Sequence, residues 1–346
     1  MRRLCVGRRA ATVLVVLLVL NTALTACRAT KEQVVIYTSV DQVFSEPILE
    51  RFEDETGIEV LAVYDVEAAK TTGLVNRLIA EKSNPKADVF WNGEVAQTII
   101  LKEEGVLEPY TSPNAAGILA AHRDPEDYWM GFAGRARVLL ANTDLVAPEA
   151  MPDSIQDMLD SAWPGDQLGI AYPLFGTTAT HAAALYAHWG PEEGRAYFEA
   201  LAARDVRVVD GNSVVRDMVA DGKLAYGMTD TDDACTAVEK GAPVRIIIPD
   251  QGPGQMGTLV IPNTVALIAG GPNPENGHAL IDYLLSDAVA QAMIDSGWSH
   301  VASSGNAVNT ADCLPAASIQ GMDVALTRVY EFMEPAKSDM LSIFVR

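Results

Sequence analysis

Residues 229–233 read Thr-Asp-Thr-Asp-Asp and place three carboxylates directly after the apolar segment 224–228. An apolar segment of this length predicts a buried strand, so Asp230 is the acid nearest the strand end. Carboxylate oxygens are the ligands that hard cations such as Fe³⁺, Ca²⁺ and Mn²⁺ prefer. Three packed carboxylates repel one another unless a cation or an arginine neutralises them. With acids from two other predicted loops, the candidate metal ligands are Asp41, Glu94, Asp230, Asp232 and Asp233.

The same acids have a simpler alternative role. Asp232 and Asp233 could only stabilise the start of the helix predicted after them, because acidic side chains interact favourably with a helix N-terminus. Arg135 and Arg137 could contact a ligand or pair with these acids, and we expect a structural ion pair.

Two further segments, Gly-Thr-Thr at 176–178 and Gly-Asn-Ser at 211–213, each precede a predicted helix. Backbone N–H groups and hydroxyls at a helix N-terminus form a typical anion site. Such a site could hold a synergistic anion beside a metal, a phosphate-bearing organic solute or a carboxylate, and plain N-capping explains the same residues. The candidate ligand-binding residues are Ser39, Asn92, Thr177, Thr178, His181, Asn212 and Ser213. His181 could instead be a structural histidine.

The motifs of common enzymes do not occur: the chain has no nucleophile elbow, Walker loop, zinc helix motif or Cys-x-x-Cys. Histidine and cysteine are scarce, with five and four residues. The sequence therefore predicts a binding protein with no catalytic residues, and a periplasmic hydrolase is the remaining enzyme alternative.

The N-terminus has the pattern of an export signal. Four arginines precede an apolar core at 10–20, which is shorter than the roughly 20 residues of a membrane span. Leu-Thr-Ala-Cys at 24–27 resembles the bacterial lipoprotein signal, which implies a signal peptide at 1–26, a lipid on Cys27 and a tether at 27–32. The alternative is an uncleaved membrane anchor in which Cys27 is incidental.

The predicted mature chain is strongly acidic. The signal holds four of the 25 Lys and Arg residues and none of the 46 acids, so its removal takes the net charge from −21 to −25. Such a surface repels nucleic acid and anionic lipid. Cys235 and Cys313 could form a disulfide in an extracytoplasmic compartment or remain two buried thiols.

Apolar strands alternate with amphipathic helices along the chain, which predicts an α/β fold. In the first set, strands at 34–38, 58–63 and 87–91 alternate with helices at 44–56, 72–81 and 95–104. The second set has apolar segments at 169–171, 206–209, 214–220 and 224–228, with helices at 179–189 and 192–203. Segments 137–140, 258–261 and 265–268 are also strand-like, and 278–286 predicts a helix. Ligands of such sheets sit beyond the carboxyl ends of the strands.

The length predicts two lobes joined by two crossing strands, with a hinge near 132–140 and 258–266 and a ligand cleft between the lobes. Lobe 1 is predicted at 33–134 plus 265–300. Lobe 2 is predicted at 135–264 plus 301–346.

Five stretches, in order, cover nearly the whole chain after the signal: residues 34–60, 87–110, 132–144, 173–190 and 211–229. They resemble the ferric-ion-type solute-binding proteins of ABC importers, which implies the type 2 periplasmic-binding-protein fold. The family's iron site uses a first-loop ligand, an acid after the third strand and a tyrosine pair in lobe 2. By position these fall near Asp41 or Gln42, on Glu94 and on the pair at 232–233. The tyrosines are therefore absent, and ferric tyrosinate chemistry is not implied.

The resemblance implies a lipid-anchored protein at the cell surface or in the periplasm that captures a solute by lobe closure. Its expected partners are the permease subunits of an ABC importer and, through the lipid, the membrane; nucleic acid is excluded. The expected ligand is ferric iron or another hard cation, with no cofactor besides. The alternative is an anionic organic solute such as a phosphonate or a sugar phosphate.

Overall fold

The computed structural model of the protein describes residues 32–64, 72–301, 313–314 and 319–345. These ranges form a mixed α/β fold. The strands are β1 (Gln33–Thr38), β2 (Glu59–Tyr64), β3 (Val89–Asn92), β4 (Leu107–Glu108), β5 (Met130–Asn142), β6 (Leu168–Ala171), β7 (Arg207–Val209), β8 (Tyr226–Asp230), β9 (Val244–Ile247) and β10 (Val260–Ile268). The predicted signal peptide at 1–26 and Cys27 lie outside the described residues.

Eleven α-helices occur in the same ranges. They are α1 (Gln42–Thr56), α2 (Thr72–Glu81), α3 (Ala96–Glu103), α4 (Gly176–Trp189), α5 (Pro191–Ala203), α6 (Asn212–Ala220), α7 (Thr231–Glu239), α8 (Pro274–Leu284), α9 (Asp287–Asp295), α10 (Leu326–Glu331) and α11 (Met333–Phe344). None of the described helices is long and apolar enough to cross a membrane.

The strands form one sheet in the order β2-β1-β3-β10-β5-β8-β6-β7, with β4 beside β10 and β9 beside β5. At one end β1 pairs in parallel with β2 and β3, and at the other β6 pairs in parallel with β7 and β8. Between them β5 and β10 pair antiparallel with each other and with their outer neighbours. The predicted α/β fold, with two parallel units joined by two crossing strands, is confirmed.

Helix α1 illustrates how the sequence pattern produces the fold. Its buried residues Ile48, Leu49 and Phe52 recur at the spacing of one helical face. The helix ends at Gly57, whose φ of 74° lies in the left-handed region that glycine adopts without steric cost. The end of α1 at Thr56 and both bounds of α2 are as predicted.

The crossing strands differ from the prediction in length. β10 is one strand through Pro262, whereas the sequence predicts separate strands at 258–261 and 265–268. The register with β5 shifts between Pro262 and Asn263, and a proline is tolerated at such an irregularity because its missing N–H is not needed there. At Gly134 a Cβ atom would lie 2.8 Å from the carbonyl oxygen of Ile261, so the two strands approach closely only with glycine there.

Two helices also begin earlier than predicted. Gly-Thr-Thr and Asn-Ser do not precede α4 and α6 but form most of their first turns, because the N-cap positions belong to Phe175 and Gly211. Neither N-cap residue makes a side-chain capping bond.

The C-terminal part of the chain returns across both units. Helix α8 packs on β1 and β10, and helices α10 and α11 pack on α4, with α11 also on α5. Between them, the backbone N–H of His300 and of Val301 donate to the carbonyl oxygen of Gly134 on β5. The lobe boundaries given above remain a prediction.

A disulfide joins Cys235 in α7 to Cys313, with Cα atoms 5.4 Å apart. Of the two alternatives for these cysteines, the structure therefore has the disulfide.

Candidate functional site

A cavity of about 1120 Å³ opens between the two parallel units. Its lobe 1 wall is formed by Ser39 and by the loop from Gly93 into helix α3. Its lobe 2 wall is formed by the first turns of α4 and α6 and by the end of β8. The cavity thus lies beyond the carboxyl ends of parallel strands, where ligands of such sheets bind.

Asp230 is the centre of a buried network on the lobe 2 wall. Its Oδ1 accepts a hydrogen bond from Arg137 at 2.6 Å, and its Oδ2 accepts from Thr177 at 2.6 Å and Asn212 at 2.9 Å. The side chains of Arg137 and Asp230 are 0% and 3% exposed. Burial raises the pKa of Asp230, but the charges of Arg137 and Arg135 outweigh burial and the net shift is downward, so the carboxylate is ionised.

Asp232 pairs with Arg135, whose Nη1 lies 3.3 Å from the Asp232 Oδ2. Arg135 also donates to the carbonyl oxygen of Gly93 and lies over the ring of Trp298, 5.3 Å from its centre. It therefore bridges the two walls. The second oxygen of Asp232, Oδ1, is buried without a hydrogen-bond partner among the described residues.

Asp233 pairs with Arg216 at 2.9 Å. Burial, and then the charges of Asp232 and Asp230, nevertheless raise the pKa of Asp233 to about 7. Those contributions exceed the opposing charge of Arg216, so the pKa of this carboxyl group lies near neutral pH. The expected ion pairs of the arginines are confirmed, and Asp230 makes no side-chain capping bond to α7.

The lobe 1 wall satisfies its polar groups within the loop after β3 and with the neighbouring end of β1. Glu94 accepts from the backbone N–H of Ala96 at 2.9 Å and of Gln97 at 3.0 Å, so its carboxylate caps α3. Burial outweighs these bonds and raises the pKa of Glu94. Ser39 donates to the Asn92 side chain at 2.5 Å and accepts from the Gly93 N–H at 3.0 Å.

The predicted site residues divide into two groups. The cavity wall includes Ser39, Glu94, Thr177, Asn212, Ser213, Asp230 and Asp233. The other five, Asp41, Asn92, Thr178, His181 and Asp232, do not line it. His181 is buried with its Nδ1 3.1 Å from the Met228 sulfur, and burial lowers its pKa to about 3, so the ring is neutral.

Sequence reasoning missed several residues of the wall. Phe175, Trp298, Tyr330 and Lys337 line the cavity, and Arg216 neutralises Asp233 behind it. Phe175 is 72% exposed, an unusual position for a phenylalanine. Phe175 could have been noticed, because it directly precedes Gly-Thr-Thr. Tyr330 and Lys337 lie in α10 and α11, and no sequence motif indicates that these helices reach the cavity.

In this chain two α/β units are joined by crossing strands and enclose a polar cavity. This arrangement defines the class of two-lobed periplasmic binding proteins. The chain belongs to the family of bacterial extracellular solute-binding proteins, whose sequence profile matches residues 48–313. The prediction of a solute-binding protein of an ABC importer is confirmed, and such proteins act outside the cytoplasm and deliver small ligands to a membrane permease.

The names of similar proteins refer to different ligands. Iron uptake protein A1 of Synechocystis is 25% identical over 276 residues, covering 76% of this chain and 74% of the relative. A Salmonella typhimurium protein named for periplasmic binding of 2-aminoethylphosphonate is 25% identical over 228 residues, 65% of each chain. The open ferric iron-binding protein A of Mannheimia haemolytica has a TM-score of 0.79 at 21% identity, covering 90% of this chain and 98% of that one.

Proposed function

We propose that the cavity captures an anionic organic solute bearing a phosphonate or phosphate group. The observation that carries this proposal is the charge balance of the lobe 2 wall. Asp230 and Asp233 on this wall are paired with Arg137 and Arg216, and Asp232 beside it is paired with Arg135. A cation entering this wall must compete with those arginines.

Several donors on the lobe 2 wall are left to face a solute, while Glu94, Glu331 and Glu334 line other parts of the cavity. The first turns of α4 and α6 border the cavity at Gly176 and Ser213, and N–H groups of a first helical turn lack partners within their own helix. The Arg135 guanidinium lies beside them. An anion bound there would gain charge-assisted hydrogen bonds from the arginine and the helix termini. The relative named for binding 2-aminoethylphosphonate supports the same solute class.

Calorimetric titration of the purified protein with 2-aminoethylphosphonate and glucose 6-phosphate tests the proposal. We expect Arg135→Met to weaken binding about ten- to a hundredfold, since a hydrogen bond to a charged group contributes about 1.5–3 kcal/mol. Ser213→Ala should weaken it less. Arg245→Met removes an exposed arginine on β9 and is the matched control. Equal affinities of the Arg135 and Arg245 variants would count against the proposal.

A hard cation, ferric iron first, is the second candidate. Relatives named for iron support it, and so do the raised pKa of Asp233 on the wall and the unpartnered Oδ1 of Asp232, which lies next to the wall. The proposed ligand set is the five acids Asp41, Glu94, Asp230, Asp232 and Asp233. A titration with ferric citrate, calcium and manganese tests it, because Asp233→Asn and Glu94→Gln should each weaken metal binding while leaving a phosphonate unaffected. Metal affinity that is unchanged in both variants rejects the cation.

We further propose that the protein is held at the membrane by a lipid on Cys27, which Leu-Thr-Ala-Cys at 24–27 supports. Cys27→Ser should move the protein into the soluble fraction on cell fractionation. A variant that stays with the membrane at the wild-type level would contradict the lipid anchor.

A further inference from the structure

Cys235, His300 and Cys313 converge behind the cavity, although they come from three separate parts of the chain. One ligand atom of each, the two sulfurs and a ring nitrogen, lie within 4.8 Å of one another. Among the described residues, no other group of three histidine, cysteine or acidic side chains that could hold a metal converges in this way. None of the three lines the cavity, so the cluster is separate from the solute site.

His300 is the unusual member of this cluster. Its side chain is buried, with the residue 2% exposed, and its Nδ1 has no hydrogen-bond partner in the part of the chain that the structure describes. Buried polar atoms are nearly always paired, so the unpaired Nδ1 of a histidine that lies beside two cysteine sulfurs requires an explanation. Burial also lowers the pKa of His300, which favours the neutral imidazole, the form that binds metals.

The backbone explains why His300 is held in place. Its N–H donates to the carbonyl oxygen of Gly134 at 2.9 Å, next to the crossing strands, while Cys235 lies in the second turn of α7. Both residues are therefore fixed by the fold and not by the disulfide. On reduction Cys235 and His300 would keep their places, and the site further requires that Cys313 stay beside them once its bond to Cys235 is broken.

We propose that reduction of the Cys235–Cys313 disulfide creates a zinc-type metal site formed by the two thiolates and the His300 imidazole. Zinc accepts two cysteines and one histidine, with water in the fourth position. Tetrahedral ligands at bond lengths of about 2.0–2.3 Å lie roughly 3.4–3.8 Å apart. Disulfide sulfurs are about 2.05 Å apart, so the two sulfurs must separate by nearly 2 Å on reduction, while the three ligand atoms already lie within 4.8 Å of one another.

The chemistry balances with an external dithiol as reductant. The dithiol transfers two electrons and two protons to the S–S bond, which breaks to give two thiols, and the dithiol becomes a disulfide itself. Binding of Zn²⁺ then displaces one proton from each thiol. The two sulfurs cannot bind a metal as thiolates while they are bonded to each other, so only the reduced protein can bind zinc at this site.

The test uses the full chain after its export signal, reduced with a phosphine under argon and titrated with Zn²⁺ against a chromophoric chelator. We expect one tight equivalent in the reduced protein and at least tenfold weaker binding in the oxidised protein. His300→Ala should weaken binding at least tenfold, whereas His188→Ala, an exposed histidine at the end of α4, should not. Cobalt in place of zinc should give thiolate-to-metal absorption only in the reduced protein.

Equal zinc affinity in the oxidised and reduced proteins, or in the two histidine variants, would overturn the proposal. Near-ultraviolet circular dichroism is recorded in parallel. If reduction abolishes the native spectrum and Zn²⁺ does not restore it, the proposal also fails, because the site requires the native arrangement of the three segments.

Discussion

The two walls of the cavity satisfy their polar groups in different ways. On the lobe 1 wall, Glu94 and Ser39 bond to backbone and side chains of their own loop and of a neighbouring strand end. On the lobe 2 wall, each acid is held by an arginine from a different element, as Arg137 on β5 holds Asp230 on β8. Loss of a local bond affects one helix end, whereas loss of a buried charge partner leaves an uncompensated charge.

The largest expected effect comes from breaking the lobe 2 network at Arg137. Arg137→Met leaves the ionised Asp230 buried without its cation, which should lower the free energy of unfolding by about 3–5 kcal/mol. Urea unfolding followed by tryptophan fluorescence measures this. The double variant Arg137→Met with Asp230→Asn should recover most of the loss, because no buried charge remains. If Arg137→Met is as stable as the wild type, the ion pairs of the lobe 2 wall do not contribute more to stability than the local bonds of the lobe 1 wall.

A smaller effect is expected from Asp233 as the pH changes. Its pKa of about 7 in the folded protein exceeds the ordinary aspartate value of 3.8, so the folded state holds a proton that the unfolded state has lost. The free energy of unfolding should therefore fall as pH rises from about 4 to 7 and level off above, by at most about 4 kcal/mol.

Asp233→Asn should abolish that decline. Asp217→Asn is the matched control, since Asp217 pairs with the same Arg216 but is exposed and has a lowered pKa. Urea unfolding at a series of pH values distinguishes them. A decline that persists in the Asp233 variant would assign the titration to another group.

The smallest effect belongs to the lobe 1 wall. Glu94→Ala removes the cap of α3 and should cost about 1 kcal/mol, in the range of other N-terminal caps. Glu104→Ala, at the exposed end of the same helix, should cost less than half of that. The pH dependence assigned to Asp233 should be unchanged in both variants. A cost for Glu94→Ala comparable to that of Arg137→Met would show that the two walls do not differ.

The sequence predicts the lobe 1 wall better than the lobe 2 wall. Helix α2 and the Gly57 cap follow from local periodicity and glycine placement, and so do the loops that carry Ser39 and Glu94. The pairing of Arg137 with Asp230 depends on the register of β5 and β8, where these two residues are direct neighbours across the strands. Register between strands so far apart in sequence is not encoded locally. The sequence therefore shows the adjacent acids without their arginine partners, and unpaired acids indicate a metal site.

The residues that the C-terminal helices contribute to the cavity wall were not predictable for a related reason. Tyr330 and Lys337 reach the cavity because α10 and α11 return to pack on α4. Amphipathic spacing predicts that such helices form, but not which surface they cover. The sequence alone does not decide between a disulfide and two free thiols, because it gives no distance between Cys235 and Cys313.

The interleaved strand order has a consequence for how the chain folds after export. Strand β3 has one neighbour, β1, early in the chain. Its other neighbour, β10, is made much later, as the pairing of Trp91 with Val265 illustrates. Until β10 arrives, the apolar strand Val89–Asn92 is an open sheet edge that can pair with other chains. Non-local pairing of this kind is slow. Pulsed hydrogen exchange during refolding should therefore show β3 amides gaining protection together with those of β10 and not with those of β1 and β2.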